Sequence, residues 1–119
     1  MAFAATESNK YISAYGASIT NPSGNVVRIN FNVTGTNYMS SLGASTIELY
    51  ENGSLVKTFS RYNPAYTSSM VTTNALYFYS HVTYSGSSGC TYYAIVNVFA
   101  SDGSGTGTES CSTGSITLP

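Results

Sequence analysis

From Tyr92 to Ala100 the chain alternates two sets of side chains without a break. Tyr92, Ala94, Val96, Val98 and Ala100 fall on one phase, and Tyr93, Ile95, Asn97 and Phe99 on the other. A period of two is the mark of a β-strand, and β-branched and aromatic residues suit a pleated surface. Both phases are largely apolar, which predicts a central strand shielded on one face and partly on the other. Asp102-Gly103-Ser104-Gly105 follows, a turn cluster able to supply positive φ, and a second strand begins before Ser110. This is a β-hairpin, and the rest of the chain has to pack around it.

The remaining segments repeat the theme. Residues 11–19 read as a loose edge strand with a glycine inside it, and Asn21-Pro22-Ser23-Gly24 as a turn. Val27, Ile29, Phe31 and Val33 alternate with Arg28, Asn30 and Asn32, a half-buried strand. Residues 34–41 are polar and predict a loop. Residues 46–51 and 55–59 flank Asn52-Gly53, the strongest two-residue hairpin signal. A regular hairpin there sets Tyr50 against Leu55, Leu49 against Val56 and Glu48 against Lys57, with Ile47, Leu49 and Val56 inward. Residues 60–74 read as a long connection. In the strand at 76–84, Leu76, Phe78, Val82 and Tyr84 take one side and Tyr77, Tyr79, His81 and Thr83 the other. Ile116 and Leu118 point inward from the last strand. About seven strands with turns between them and no helical period predict an all-β fold of two antiparallel sheets packed face to face.

At 119 residues there is room for one domain, placed at 11–119, with residues 1–10 as an arm. Ala2-Phe3-Ala4 resembles the end of a signal-peptidase site, so residues 1–4 are read as the remnant of a secretion signal; the alternative is an ordinary small-residue start. The net charge is −1 and charged residues are 8% of the chain, with Lys10, Arg28, Lys57 and Arg61 scattered, so a basic surface for nucleic acid is disfavoured. No apolar run is long enough to span a membrane. A chain that is 42% hydrophobic with 11 tyrosines and few charges has the composition of exported β-proteins and adhesive surfaces.

Cys90 and Cys111 make an even count, which in an exported chain suggests a disulfide closing a loop of about 20 residues. Hairpin register opposes it. If Ser101 pairs with Thr106, Cys111 lies opposite Val96, about 20 Å of strand from Cys90, whereas bridged Cα atoms stand within ~7 Å. A bulge or longer loop would rescue the bridge; a bond between chains or two free thiols are the alternatives.

The residues for catalysis do not assemble in sequence. His81 is the only histidine and Asp102 the only aspartate, the latter at a hairpin tip. One histidine and two distant cysteines fall short of a zinc site. Glu48 and Glu51, three apart on a strand, point to opposite faces. DGSGTG lacks the lysine and helix of a phosphate loop. The expectation is no enzyme, no metal and no cofactor. Asn32-Val33-Thr34 and Asn52-Gly53-Ser54 match the glycosylation sequon, the second being needed for its turn in any case.

The run Val96-x-Val98-x-Ala100-x-Asp102-x-x-Gly105-x-Gly107-x-x-Ser110 resembles the F–G hairpin of fibronectin type III domains. That resemblance implies an immunoglobulin-like sandwich and, by analogy of fold, a binding role. The family's tyrosine would fall at Ala94, where tyrosines stand instead at Tyr92 and Tyr93, and its inward tryptophan is replaced by Phe31. GASTI (43–47), VTYSG (82–86) and YYAIV (92–96) are similar to stretches of small exported proteins of Gram-positive anaerobes, which implies a secreted bacterial origin.

In a fibronectin-like arrangement Tyr50, Leu55 and Phe59 share an outward sheet face with Tyr93, Ile95 and Phe99. Such a face would bind a protein or a glycan. The bland alternative is that residues 60–74 cover it, or that the faces are inverted. Tyr77, Tyr79 and His81 beside Arg28 and Asn30 form a second, more polar aromatic strip. A secreted binding module is the first expectation. The second is a structural protein that self-associates through apolar faces and strand edges, as in a filament or surface layer.

Overall fold

The computed structural model describes residues 9–119; the signal-like motif and most of the expected arm lie outside the described residues. The strands are β1 (Ile12–Thr20), β2 (Val26–Glu51), β3 (Ser54–Ser60), β4 (Val71–Ser85), β5 (Thr91–Ser101) and β6 (Thr106–Thr117), with one helical turn, α1 (Thr67–Met70), before β4. They form a single six-stranded antiparallel sheet in the order β1-β2-β5-β6, with β3 and β4 also paired to β2. The sheet curls into a half-barrel.

The expected two-sheet sandwich is therefore incorrect, and the reason is β2. The polar stretch 34–41, read as a loop, is strand: Met39 pairs with Ala75, and Ser41 pairs with both Thr73 and Ser101. Two expected strands are one strand of 26 residues. Its first part lies between β1 and β4, and its last part between β5 and β3. A two-sheet sandwich has no ladder joining its sheets; here β2 pairs with β4 on both sides of the bend and with β5 beyond it, so all the strands stay in one sheet. Irregularities in β2 between Thr34 and Met39 and between Ala44 and Thr46 supply the curl. Each extra residue bends the strand and increases its twist. They also change which parity faces inward, so Val27, Ile29, Phe31 and Val33, then Leu42 and Ala44, then Ile47 and Leu49 all reach one core. Gly43 lies inside this bend, where a Cβ would collide with the Met70 carbonyl.

The core is the concave side of the sheet, filled by Tyr92, Phe31, Phe59, Ile29, Leu42 and their neighbours. β1 approaches β6 without a ladder between the described strands. Instead, Asn9 Nδ2 donates to the Thr108 carbonyl (3.2 Å) and Glu109 Oε2 (2.9 Å), and Tyr11 lies against Gly105 and Gly107.

The expected intrachain disulfide is also incorrect: both thiols are free. Ser101 pairs with Thr106 and Cys111 with Val96, in the register anticipated from sequence. The carbonyl of Cys90 accepts from the Leu118 N–H at 3.0 Å, placing Cys90 beside the far end of the final strand. About seven residues separate that point from Cys111, roughly 23 Å of strand, beyond the reach of a bridge.

Candidate functional site

Two aromatic regions lie on the outer face of the sheet, at opposite ends of β2. The first contains four of the six residues expected from sequence. Asn52-Gly53 forms the two-residue turn with positive φ at both positions, 50° and 87°. The hairpin pairs Tyr50 with Leu55, and β5 pairs Tyr93 with Tyr50 from the other side. The Tyr50 and Tyr93 rings stack with centroids 4.8 Å apart and planes within 4°. Leu55 is 51% exposed, and Ile95 stands in the next row opposite Glu48.

The other two are placed differently. Past Tyr50–Leu55 the register shifts: Leu49 faces Lys57 and Ile47 faces Phe59, so Val56 is an extra residue. One added residue sends every later side chain to the opposite face. Phe59 thus enters the core at 1% exposure, edge-on to Tyr66 at 5.0 Å, while Val56, expected inside, is 37% exposed. The expected Glu48–Lys57 pairing is replaced by Glu48–Thr58, and the Lys57 ammonium lies over the Phe59 and Tyr66 rings at 5.6 and 5.2 Å. Phe99 keeps its outward phase but is only 3% exposed, because the Arg61 guanidinium covers its ring at 4.1 Å. The connection after β3 therefore covers part of this face, as the bland alternative held.

The second region lies on β4 and the first part of β2. Tyr77 and Tyr79 are 64% and 75% exposed. Register aligns Ala14–Thr34–Tyr77, Gly16–Asn32–Tyr79, Ser18–Asn30–His81 and Thr20–Arg28–Thr83 in successive rows across β1, β2 and β4. An open groove of about 560 Å³ runs over two of these rows, lined by Gly16, Ser18, Asn30, Asn32, Tyr79 and His81 among others. The sequence reading placed Tyr77, Tyr79, His81, Arg28 and Asn30 together. It missed Asn32, Gly16 and Ser18. The alternation of β2 already put Asn32 on the face of Asn30; the alignment of β1 that brings Gly16 and Ser18 alongside is a tertiary fact.

Four ionisable groups among the described residues are perturbed by their surroundings: Tyr15, raised by burial and then by Glu109, together with Tyr92, Cys111 and Asp102. Burial, then the hydrogen bond to Glu51, raises the Tyr92 phenol above the ordinary tyrosine value. Its hydroxyl donates to the Glu51 carboxylate and accepts from the Ser87 N–H at 2.8 Å. Glu51 is thus engaged on the core side, whereas Glu48 stands on the outer face, the separation expected from their spacing. Burial pushes the Cys111 thiol up. Asp102 is held below the usual carboxylate value by the backbone N–H and side chain of Ser104, both at 2.8 Å, in the β5–β6 turn. None of the four lines the groove.

Comparison with family models, with curated proteins and with solved structures gives no match for this chain. What stands is a curved, mostly antiparallel β-domain with tyrosines exposed on one face. No helix among the described residues is long and apolar enough to cross a membrane.

Proposed function

We propose that the chain is a secreted, non-catalytic module that binds a protein or a glycan through an aromatic face of its sheet. The observation that carries this reading is the exposure of Tyr77 and Tyr79 on β4, at 64% and 75%. They alternate on that strand with Phe78, which packs on the core, so they contribute little to it. Tyrosine supplies a large amphipathic contact surface at low entropic cost, which suits recognition. The stacked Tyr50–Tyr93 pair with Leu55 and Ile95 is a second surface of the same kind. Export is inferred from the low-charge, tyrosine-rich composition.

The second reading is a self-assembling extracellular protein. It is favoured by the outer edges of β3 and β4, which pair with no other described strand. Unpaired edges template further strands. Solution mass by light scattering decides between the two. A species at the chain mass of 12.6 kDa, together with unchanged thermal unfolding in the Tyr77→Ala/Tyr79→Ala variant, supports the binding module. Assemblies of many copies support the structural reading.

A further inference from the structure

We infer that the groove across β1, β2 and β4 is a binding site for a neutral oligosaccharide. This rests on the reading of the tyrosine face as a binding surface and names its ligand class. The groove's volume, about 560 Å³, falls in the range of small-ligand sites, roughly 300–1,000 Å³.

Its polar groups are arranged for hydroxyls. The Asn30 amide donates to Ser18 Oγ at 3.2 Å and to Thr20 Oγ1 at 3.3 Å, so both of its hydrogens are committed to β1. That fixes the side chain and leaves its carbonyl oxygen as an acceptor. Asn32, one row along, makes no side-chain hydrogen bond to another described residue, so its donor and acceptor are both unspent. An unspent carboxamide presents a donor and an acceptor side by side in one plane, the pattern that two neighbouring hydroxyls of a sugar ring satisfy. His81, directly opposite Asn30, adds a further polar edge.

The apolar side is supplied by Tyr79, which stands opposite Asn32 with its ring in solvent. Gly16 leaves the floor open on the other side of Asn32: a Cβ there would stand 3.3 Å from Asn32 Nδ2. Beyond Tyr79 a smaller depression of about 220 Å³, lined by Asn32, Thr34, Tyr77, Phe78 and Tyr79, continues the surface. Asn32 and Tyr79 therefore border two adjoining subsites, which suits a chain of sugars better than one. No carboxylate or lysine lines either depression, and Arg28 stands one row outside them, which selects a neutral ligand over a charged one.

The test is a titration of the isotope-labelled protein followed by amide chemical shifts. The probes are hexasaccharides of β-1,4-glucose, β-1,3-glucose, α-1,4-glucose, β-1,4-mannose and β-1,4-N-acetylglucosamine. Saturable shifts centred on Gly16, Ser18, Asn30, Asn32, Tyr79 and His81 with at least one of them are expected. The corresponding monosaccharide should bind more weakly. Asn32→Ala and Tyr79→Ala should each weaken binding about tenfold while leaving the unfolding midpoint in place. Absence of shifts with all five probes overturns the saccharide inference, as do shifts confined to the Tyr50–Tyr93 end. If that absence is found for a monomeric protein, the broader binding reading survives; the broader reading itself falls to assembly in light scattering.

Discussion

Phe59 and Leu55 lie four residues apart on one short strand and have opposite fates. Phe59 is buried against Tyr66 and Leu55 is half in solvent. Phe59→Ala removes a fully packed ring and should cost about 3–5 kcal/mol in denaturant unfolding. Leu55→Ala should cost under ~1 kcal/mol, because little of what it removes was out of water. Equal costs would show that the register of this hairpin is wrong. Tyr92 carries a second residue-scale expectation. Its phenol is raised above the usual value by burial and by the bond to Glu51, so the neutral form is the one the fold prefers. The resulting stabilisation is fully present below the unfolded tyrosine value, about 10, and is lost as pH rises through the higher folded value. The stability difference between the native chain and Tyr92→Phe should therefore shrink in strong alkali, measured by urea unfolding across that range. A constant difference would mean that the hydroxyl does not titrate with folding.

At the scale of the element, the bulge at Val56 separates two ways of packing β3. Deleting Val56 leaves Tyr50 opposite Leu55 and Leu49 opposite Lys57, so Phe59 stays over Ile47. The deletion should be tolerated at a cost of about 1 kcal/mol or less, since the extra residue is not part of the ladder. Loss of folding on deletion would show that the bulge's added twist is needed to close this end of the half-barrel. The long strand β2 shows the same physics at greater length. Its alternation at 26–33 and 46–51 was legible in sequence because each stretch keeps one parity. The polar stretch between was not, because its buried positions, Gly35 and Met39, are too few and too far apart to show a period. That stretch is extended because distant segments pair with it at its two ends: β1 and Tyr11 at Gly35 and Thr36, β4 at Met39 and Ser41, and β5 at Ser41.

For the whole molecule, the seam between β1 and β6 decides how far the sheet closes on itself. It is held by Asn9 and Tyr11 packed on a glycine-containing stretch of β6 rather than by a ladder. At Gly107 a side chain would meet the Asn9 amide, and its Cβ would sit 3.0 Å from Tyr11 Cβ. Gly107→Val should therefore open the seam, lower stability by about 1–3 kcal/mol and speed hydrogen exchange of the β1 amides while β5 stays protected. Uniform loss of protection would mean that the seam and the core open as one unit. The groove over Asn30, Asn32 and Tyr79 uses β1 as one wall, so the same variant should also weaken any ligand held there.

Sequence alone determined the all-β class, the Asn52-Gly53 turn, the register of the β5–β6 hairpin, and the outward sets on β4 and on β2, Tyr77, Tyr79 and His81 with Arg28 and Asn30. These are local properties: alternation is written into neighbouring residues, and a tight turn sets the first pair of the hairpin it closes. Tertiary structure decided that residues 34–41 continue a strand, that Val56 bulges and sends Phe59 inward, that Arg61 covers Phe99, and that Gly16 and Ser18 border Asn30 and Asn32. Each depends on which distant segment satisfies the backbone or shields the side chain. Those hydrogen bonds and contacts exist only once the sheet has curled.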